Sequence, residues 1–219
     1  MHIELVEIPA GTFFMGSASA EASEYEQPVH EVRVEDFWLG VNPVTQGQWE
    51  AVMGDNPAHF RRGPDYPVEC VDLIDIDIFL EKLRARTKRA YRLPTEREWE
   101  YACRAGSAGD RYGDLDAVAW HSGNAGETTH PVGQKLPNAF ELCDMLGNVY
   151  EWCADWFWQY PAIEPFNPWG RYDNDPEYAK VIRGGCFRAG AWAARAPWRY
   201  WQDPAERSMD VGFRLALDR

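Results

Sequence analysis

Clear helical periodicity in this chain ends at Gly106, and that limits what the chain can fold into. Beyond it the apolar runs are short, as in LGNVYEWCADWF, VIRGGCF and VGFRLAL. A second half of this kind consists of short strands and long loops, and irregular backbone survives burial only if its polar groups find partners, water or an ion. Eleven Trp, ten Tyr and ten Phe, with 18 Gly and 15 Pro, suit such an architecture, in which large aromatic anchors hold turns and loops. The predicted class is α+β, with two or three helices early and a loop-rich remainder.

The helices announce themselves by their starts. In RLPTEREWEYACRAG, 92 to 106, Thr95 and Glu98 form a T-x-x-E capping box after a proline. Gly106 stands where the helix should stop, and Trp99, Ala102 and Cys103 share one face. In TQGQWEAVM, 45 to 53, Thr45 and Gln48 make a second box, with Trp49, Val52 and Met53 as the buried stripe. Residues 72 to 86 carry two periods at once. Ile74, Ile76 and Ile78 alternate as in a strand, whereas Ile76, Phe79, Leu80 and Leu83 repeat as in a helix. The acidic start and the basic LRARTKR end favour a helix. Strands are expected at 3 to 8, after the turn in PAGTFFMGS, 9 to 17, and in HEVRVEDFWLG, 30 to 40, which breaks at Gly40 and Pro43.

No internal repeat, low-complexity tract or Gly/Ser linker divides the chain, so one domain over 1 to 219 is expected. Hydrophobic residues make up 45%, enough for a real core and against disorder. The net charge of −13 repels a phosphate backbone and argues against nucleic-acid binding. No stretch approaches the roughly 18 apolar residues of a membrane span, and no basic start precedes an apolar run. The expected setting is cytoplasmic. The five cysteines, Cys70, Cys103, Cys143, Cys153 and Cys186, are odd in number, without C-x-x-C or zinc-type spacing. Scattered thiols of this kind read as buried small hydrophobes.

The segments IPAGTFFMGS, EQPVHEVRVEDFWLGVNPVTQGQWEAVMGDNP, YRLPTEREWEYACRAG, DMLGNVYEWCADWF, VIRGGCF and DVGFRLA, in this order, resemble the formylglycine-generating enzyme (sulfatase-modifying factor) family. The resemblance runs from about residue 3 to residue 217. It implies a fold like a C-type lectin, with a small twisted antiparallel sheet, two helices and much loop. It implies several functions, because the family has several branches. One oxidises a substrate cysteine to formylglycine with copper on two thiolates. A second carries iron-binding histidines in an added helical domain. A third has no known redox site and displays a C-terminal binding surface, including hypervariable proteins diversified by retroelements.

Two thiolates suit Cu(I), since soft sulfur donors select that ion. In the resembling oxidases the first copper cysteine falls three residues past the position of Cys186 and the second five further on. Here those positions are Ala189 and Ala194, and no cysteine occurs from Phe187 to Arg219. Copper is therefore not expected, and an enzyme of altered chemistry would have to use Cys186 as a lone thiol. The iron branch fits no better, since His2, His30, His59, His121 and His130 contain no H-x-x-x-H pair. His121 and His130, flanking the turn-rich WHSGNAGETTHP, are expected to be surface or hydrogen-bonded residues. There is no G-x-S-x-G and no Gly-rich phosphate loop. The resemblance also implies a structural calcium site near GNVYEW, with Asn148 as the candidate ligand, oxygen in irregular loops being what calcium takes.

Residues 183 to 214 hold six arginines against Asp203, Glu206 and Asp210, together with Trp192, Trp198, Tyr200 and Trp201. Arg183, Arg195, Arg199, Arg207 and Arg214 fall on recurrent family positions and are expected to pair with buried carboxylates or loop carbonyls. Gly184 and Gly185 are expected in a tight turn. The intervening residues Phe187, Arg188, Ala189, Gly190, Trp192, Trp198, Tyr200, Trp201, Ser208 and Met209 are the candidate binding face, being rich in the residue types of binding hot spots. Their charge suggests an anionic or aromatic-rich partner, a protein or a small ligand. The expected function is a non-oxidase binding or accessory module. The alternatives are an enzyme of the same family, either Cys186-based or a residual formylglycine-generating oxidase, and a retroelement-diversified binding protein. The aromatic-rich insert at 156 to 178 either covers the core or makes a partner site.

Overall fold

The structure, a computed structural model, describes residues 2–160 and 179–219. In chain order the elements begin with β1 (Leu5–Ile8), β2 (Gly11–Met15), β3 (His30–Val34) and β4 (Phe37–Gly40). The helices α1 (Gln46–Met53) and α2 (Leu73–Thr87), the short β5 (Tyr91–Arg92), the helix α3 (Glu96–Arg104) and the single turn α4 (Leu115–Val118) follow. After them come β6 (Ala119–Trp120), β7 (Leu146–Gly147), β8 (Tyr150–Trp156), β9 (Lys180–Arg183), β10 (Arg199–Gln202), β11 (Val211–Gly212) and β12 (Ala216–Asp218). The α+β class and the C-type-lectin-like arrangement expected from the sequence are what the chain adopts. Most of the aromatic-rich insert at 156 to 178 lies outside the described residues, which omit 161–178.

Each long helix starts where its cap stands. Thr45 accepts from the Gln48 backbone N–H while the Gln48 side chain accepts from Thr45 N–H at 3.0 Å. Asp72 with Asp75 and Thr95 with Glu98 make the same reciprocal pair, so all three helices satisfy their first orphan donors. α1 and α2 end in left-handed residues, Gly54 and Lys88. α3 turns at Ala105, one residue earlier than the glycine suggested, and Gly106 follows with positive φ. The ambiguity at 72 to 86 resolves as a helix. Ile76, Phe79, Leu80 and Leu83 are buried, while Ile74 and Ile78 face solvent.

Two four-stranded sheets form among the described residues. One runs β1-β4-β12-β5, antiparallel throughout, so that strands from both ends of the chain meet at β4. The other runs β10-β9-β8-β11, and its β8–β11 pair is parallel. Two-stranded β2–β3 and β6–β7 complete the strands among the described residues. One core cluster gathers Trp49, Phe79 and Phe213 with the apolar face of α2, the Trp49 and Phe79 rings stacking 5.1 Å apart. The other surrounds Trp99 of α3 with Phe37, Leu39, Leu146 and Val181. No helix among the described residues is long and apolar enough to cross a membrane.

Candidate functional site

The scaffold arginines are consumed by the fold. Arg183 donates to Glu96 at 2.8 Å and to Glu100 at 2.5 Å, and Arg199 forms a fork with Glu96 at 2.5 and 2.8 Å. Arg195 pairs with Glu26 and Asp110, Arg214 with both oxygens of Glu151, and Arg207 with Asp72 and Asp75 at the first turn of α2. Glu96 and Glu100 reach these partners because α3 presents them one turn apart on its inner face. Burial would raise the Glu96 carboxyl, yet Arg199 and Arg183 hold it below its ordinary value. The guanidiniums also donate to loop carbonyls, Arg214 to Gly40 and Cys143 and Arg199 to Tyr25 and Trp158. Backbone carbonyls from both halves of the chain thus find partners in buried arginines.

Gly184 and Gly185 form the turn that leads out of β9, with φ of 95° and 77°. A Cβ at Gly184 would stand 3.0 Å from Met145 O, and one at Gly185 3.0 Å from Ala193 O, so only glycine lets the backbone pass this closely. The turn delivers Cys186 into the core. Its side chain is 2% exposed and its Sγ lies 3.5 Å from Asp210 Oδ2. Burial, and then the Asp210 carboxylate, push the thiol up to about 12. Ala189 and Ala194, at the positions implied for copper cysteines, are buried methyl groups. The five cysteines are all unpaired thiols. Soft-donor copper chemistry requires two convergent thiolates, and this locus offers one protonated thiol beside a carboxylate. The residues present do not fit a copper pair.

The calcium expectation at Asn148 meets a different arrangement. Asn148 is fully buried with φ 60°. Its Oδ1 accepts from His130 N–H at 3.0 Å and its Nδ2 donates to His130 O at 3.1 Å, so the side chain clamps the loop before β7. Asn124 Oδ1 likewise accepts from His121 N–H. Among the described residues no cluster of three or more His, Cys, Asp or Glu side chains is assembled for a metal. These amide oxygens serve as backbone caps. His121 binds Asp116 at 2.8 Å and His130 stacks on Trp120 with its Nε2 2.7 Å from Ala125 O. Both histidines are hydrogen-bonded, as expected.

The predicted face divides in three. Phe187 and Ala189 are buried, Phe187 with its ring against Phe60 and Ala189 beside Cys186 in the core, so neither belongs to an exposed face. The turn after Cys186 points them inward because the adjacent Phe187 N–H bonds Asn148 O. Gly190, Trp192 and Trp198 make a separate corner. There Trp192, 54% exposed, stands edge-on to Trp198 at 4.8 Å, and a Cβ at Gly190 would strike its indole. Met209 is half-buried.

Arg188, Tyr200, Trp201 and Ser208 come together. They line one open hollow of about 350 Å³ with Tyr150, Ile182, Gln202, Asp203, Glu206 and Asp210. β10 supplies Tyr200, Trp201 and Gln202, β8 supplies Tyr150, and the loop before β11 supplies the acids. Tyr200 is 43% exposed and stacks over Tyr150 at 6.0 Å. Arg188 Nε donates to Asp210 Oδ2 at 2.7 Å, and Ser208 Oγ donates to Asp210 Oδ1. Sequence reasoning missed Tyr150, Ile182, Gln202, Asp203, Glu206 and Asp210 as members. The acids stand in the same segment as the predicted face, and the signal for them was their place between Trp201 and Val211. The arginine excess that suggested an anionic partner does not survive folding. Five of the six guanidiniums are paired within the scaffold and the sixth is tied to Asp210.

Comparison with known proteins supplies the relatives. The sulfatase-modifying factor enzyme 1-like domain matches residues 2–219. The serine/threonine-protein kinase Pkn1 of Chlamydia trachomatis is 30% identical across 98% of this chain, which spans 38% of that protein's length. The formylglycine-generating enzyme of Streptomyces coelicolor is 29% identical across 97% of the chain and 88% of its own length. Among solved structures, Treponema denticola variable protein 1 superposes with a TM-score of 0.89 at 27% identity, covering 98% of this chain and 95% of that one.

Proposed function

The chain belongs to the sulfatase-modifying factor enzyme 1-like domain family, and from that premise we propose that it is a non-oxidase member that acts as a binding or accessory module through the hollow beside β10. The observation that carries this reading is the state of the Cys186 locus. A working thiol needs exposure and a neighbouring positive charge that favours thiolate. Cys186 is buried against a carboxylate, and alanines stand at both positions implied for the copper cysteines. Next to this filled locus the chain keeps an open hollow whose walls come mostly from residues between the scaffold arginines. A fixed scaffold with a replaceable lining is the organisation of a binding module. Similarity to the Treponema denticola variable protein supports it.

The test is a Cu(I) titration of the reduced protein beside Cys186→Ala, with a competing chelator as reporter. The expected result is no tight one-to-one copper binding in either protein. Tight stoichiometric copper in the parent, lost in the variant, overturns the reading and restores the oxidase.

A further inference from the structure

We propose that the hollow beside β10 receives an alkylammonium group, an amine carried on an aliphatic stem. This deepens the binding-module reading and rests on it. Three features of the lining carry the inference together. The first is charge. Asp203, Glu206 and Asp210 face the hollow with a single guanidinium, Arg188, whose Nε is bonded to Asp210. Among the described residues the Asp203 and Glu206 side chains make no ion pair, so two carboxylates at the mouth are left for a ligand. The second is the aromatic wall. Tyr150, Tyr200 and Trp201 present ring surface, Tyr200 being widely exposed. Ring faces attract cations through their quadrupole, most strongly where water is partly excluded. The third is a polar acceptor below the rim. Gln202 is only 8% exposed, and its Nε2 donates to Glu206 O at 3.1 Å. Its Oε1 accepts no hydrogen bond among the described residues. That oxygen is free to accept, and an ammonium supplies donors with no acceptor of its own.

The apolar part of the ligand is specified by the same walls. Ile182 and the tyrosine rings offer van der Waals surface to a methylene stem, while the charge stays near the acidic mouth. The volume suits one side chain or a small amine, at the lower end of ligand pockets. A carboxylate or phosphate would meet three carboxylates and only one guanidinium, already neutralised.

The alkylammonium group has two sources, a free amine or a lysine side chain on a peptide, and the probes distinguish them. The Trp201 indole N–H resonance, assigned with Trp201→Phe, is followed in titrations of 15N-labelled protein. The probes are n-butylammonium, acetyl-Gly-Lys-Gly-amide, the same peptide with norleucine for lysine, and the same peptide with glutamate. The expected result is saturable displacement by butylammonium, by the lysine peptide, or by both. A response confined to the peptide points to a lysine on a partner chain. Affinity should fall about five- to tenfold in Asp203→Asn/Glu206→Gln and in Tyr200→Ala. All four positions lie on the rim or surface, and an unchanged melting temperature shows that the variants are folded. Equal or tighter binding of the norleucine or glutamate peptide overturns the cation assignment and leaves a binding module of other specificity. No response to either cation overturns it as well. The copper titration judges the module reading separately.

Discussion

At the scale of single residues the structure turns on which buried polar atoms have partners. Asp144 has one oxygen occupied, accepting from Gly133 N–H at 2.7 Å, while its Oδ1 is buried without a hydrogen bond. Burial pushes the carboxyl up to about 6, against the opposing pull of the Gly133 N–H and of Arg214. The folded-state value lies above the unfolded one, so ionising Asp144 costs the folded protein. That cost is absent below about pH 4, grows as pH rises to about 6, and is constant above. A shift of about two units corresponds to at most about 3 kcal/mol. Asp144→Asn should therefore stabilise the protein by about 1–3 kcal/mol at pH 7.5, because it keeps the acceptor for Gly133 and removes the charge. The gain should vanish near pH 4. Thermal melts of both proteins at the two pH values check it, and an asparagine variant less stable than the parent at pH 7.5 would show that the ionised form is needed. Arg214 does not depend on Asp144, since it stays paired with Glu151.

At the scale of elements, α3 matters more for what it carries than for how it begins. Thr95→Ala removes a cap and should cost about 1 kcal/mol. Glu100→Ala keeps the helix but leaves buried Arg104 without its carboxylate and buried Arg183 with only Glu96, which Arg199 already shares, and should cost about 3–5 kcal/mol. Urea unfolding of the two variants ranks them, and equal costs would mean that the Glu100 network adds nothing beyond packing. The two predictions also separate what was legible in the sequence from what was not. The capping boxes at Thr45 and Thr95 were readable because both partners lie within four residues. The pairing of Arg183 with Glu96 and Glu100 spans more than eighty residues, so the family positions named the arginines without naming their acids. The dual period at 72 to 86 was settled by burial, which only the packed fold supplies. The hollow was half legible. Arg188, Tyr200, Trp201 and Ser208 were expected at a surface and line it, whereas Tyr150 and Ile182 enter from neighbouring strands. Phe187 and Ala189 were misassigned to the face because alternation through a Gly-Gly turn does not predict which side chains point inward.

At the scale of the whole molecule, charge and site reinforce one another. The net charge of −13 sets a long-range field that attracts cations, and the hollow has carboxylates at its mouth. A field of this kind raises local ligand concentration and weakens as salt shortens the screening length, from about 30 Å at 0.01 M to about 10 Å at 0.1 M. The lysine peptide should therefore bind several-fold more weakly at 200 mM than at 20 mM sodium chloride, and a peptide with three lysines should lose more. If the contribution were only contact with the aromatic wall, both peptides would bind alike at all salt concentrations, because ring contacts at short range are little screened. The comparison of slopes against peptide charge thus separates the field of the molecule from the chemistry of the hollow. Repeating it in Asp203→Asn/Glu206→Gln divides the remainder. A slope that persists with reduced affinity belongs to the distant acids, and a slope that collapses belongs to the two at the mouth.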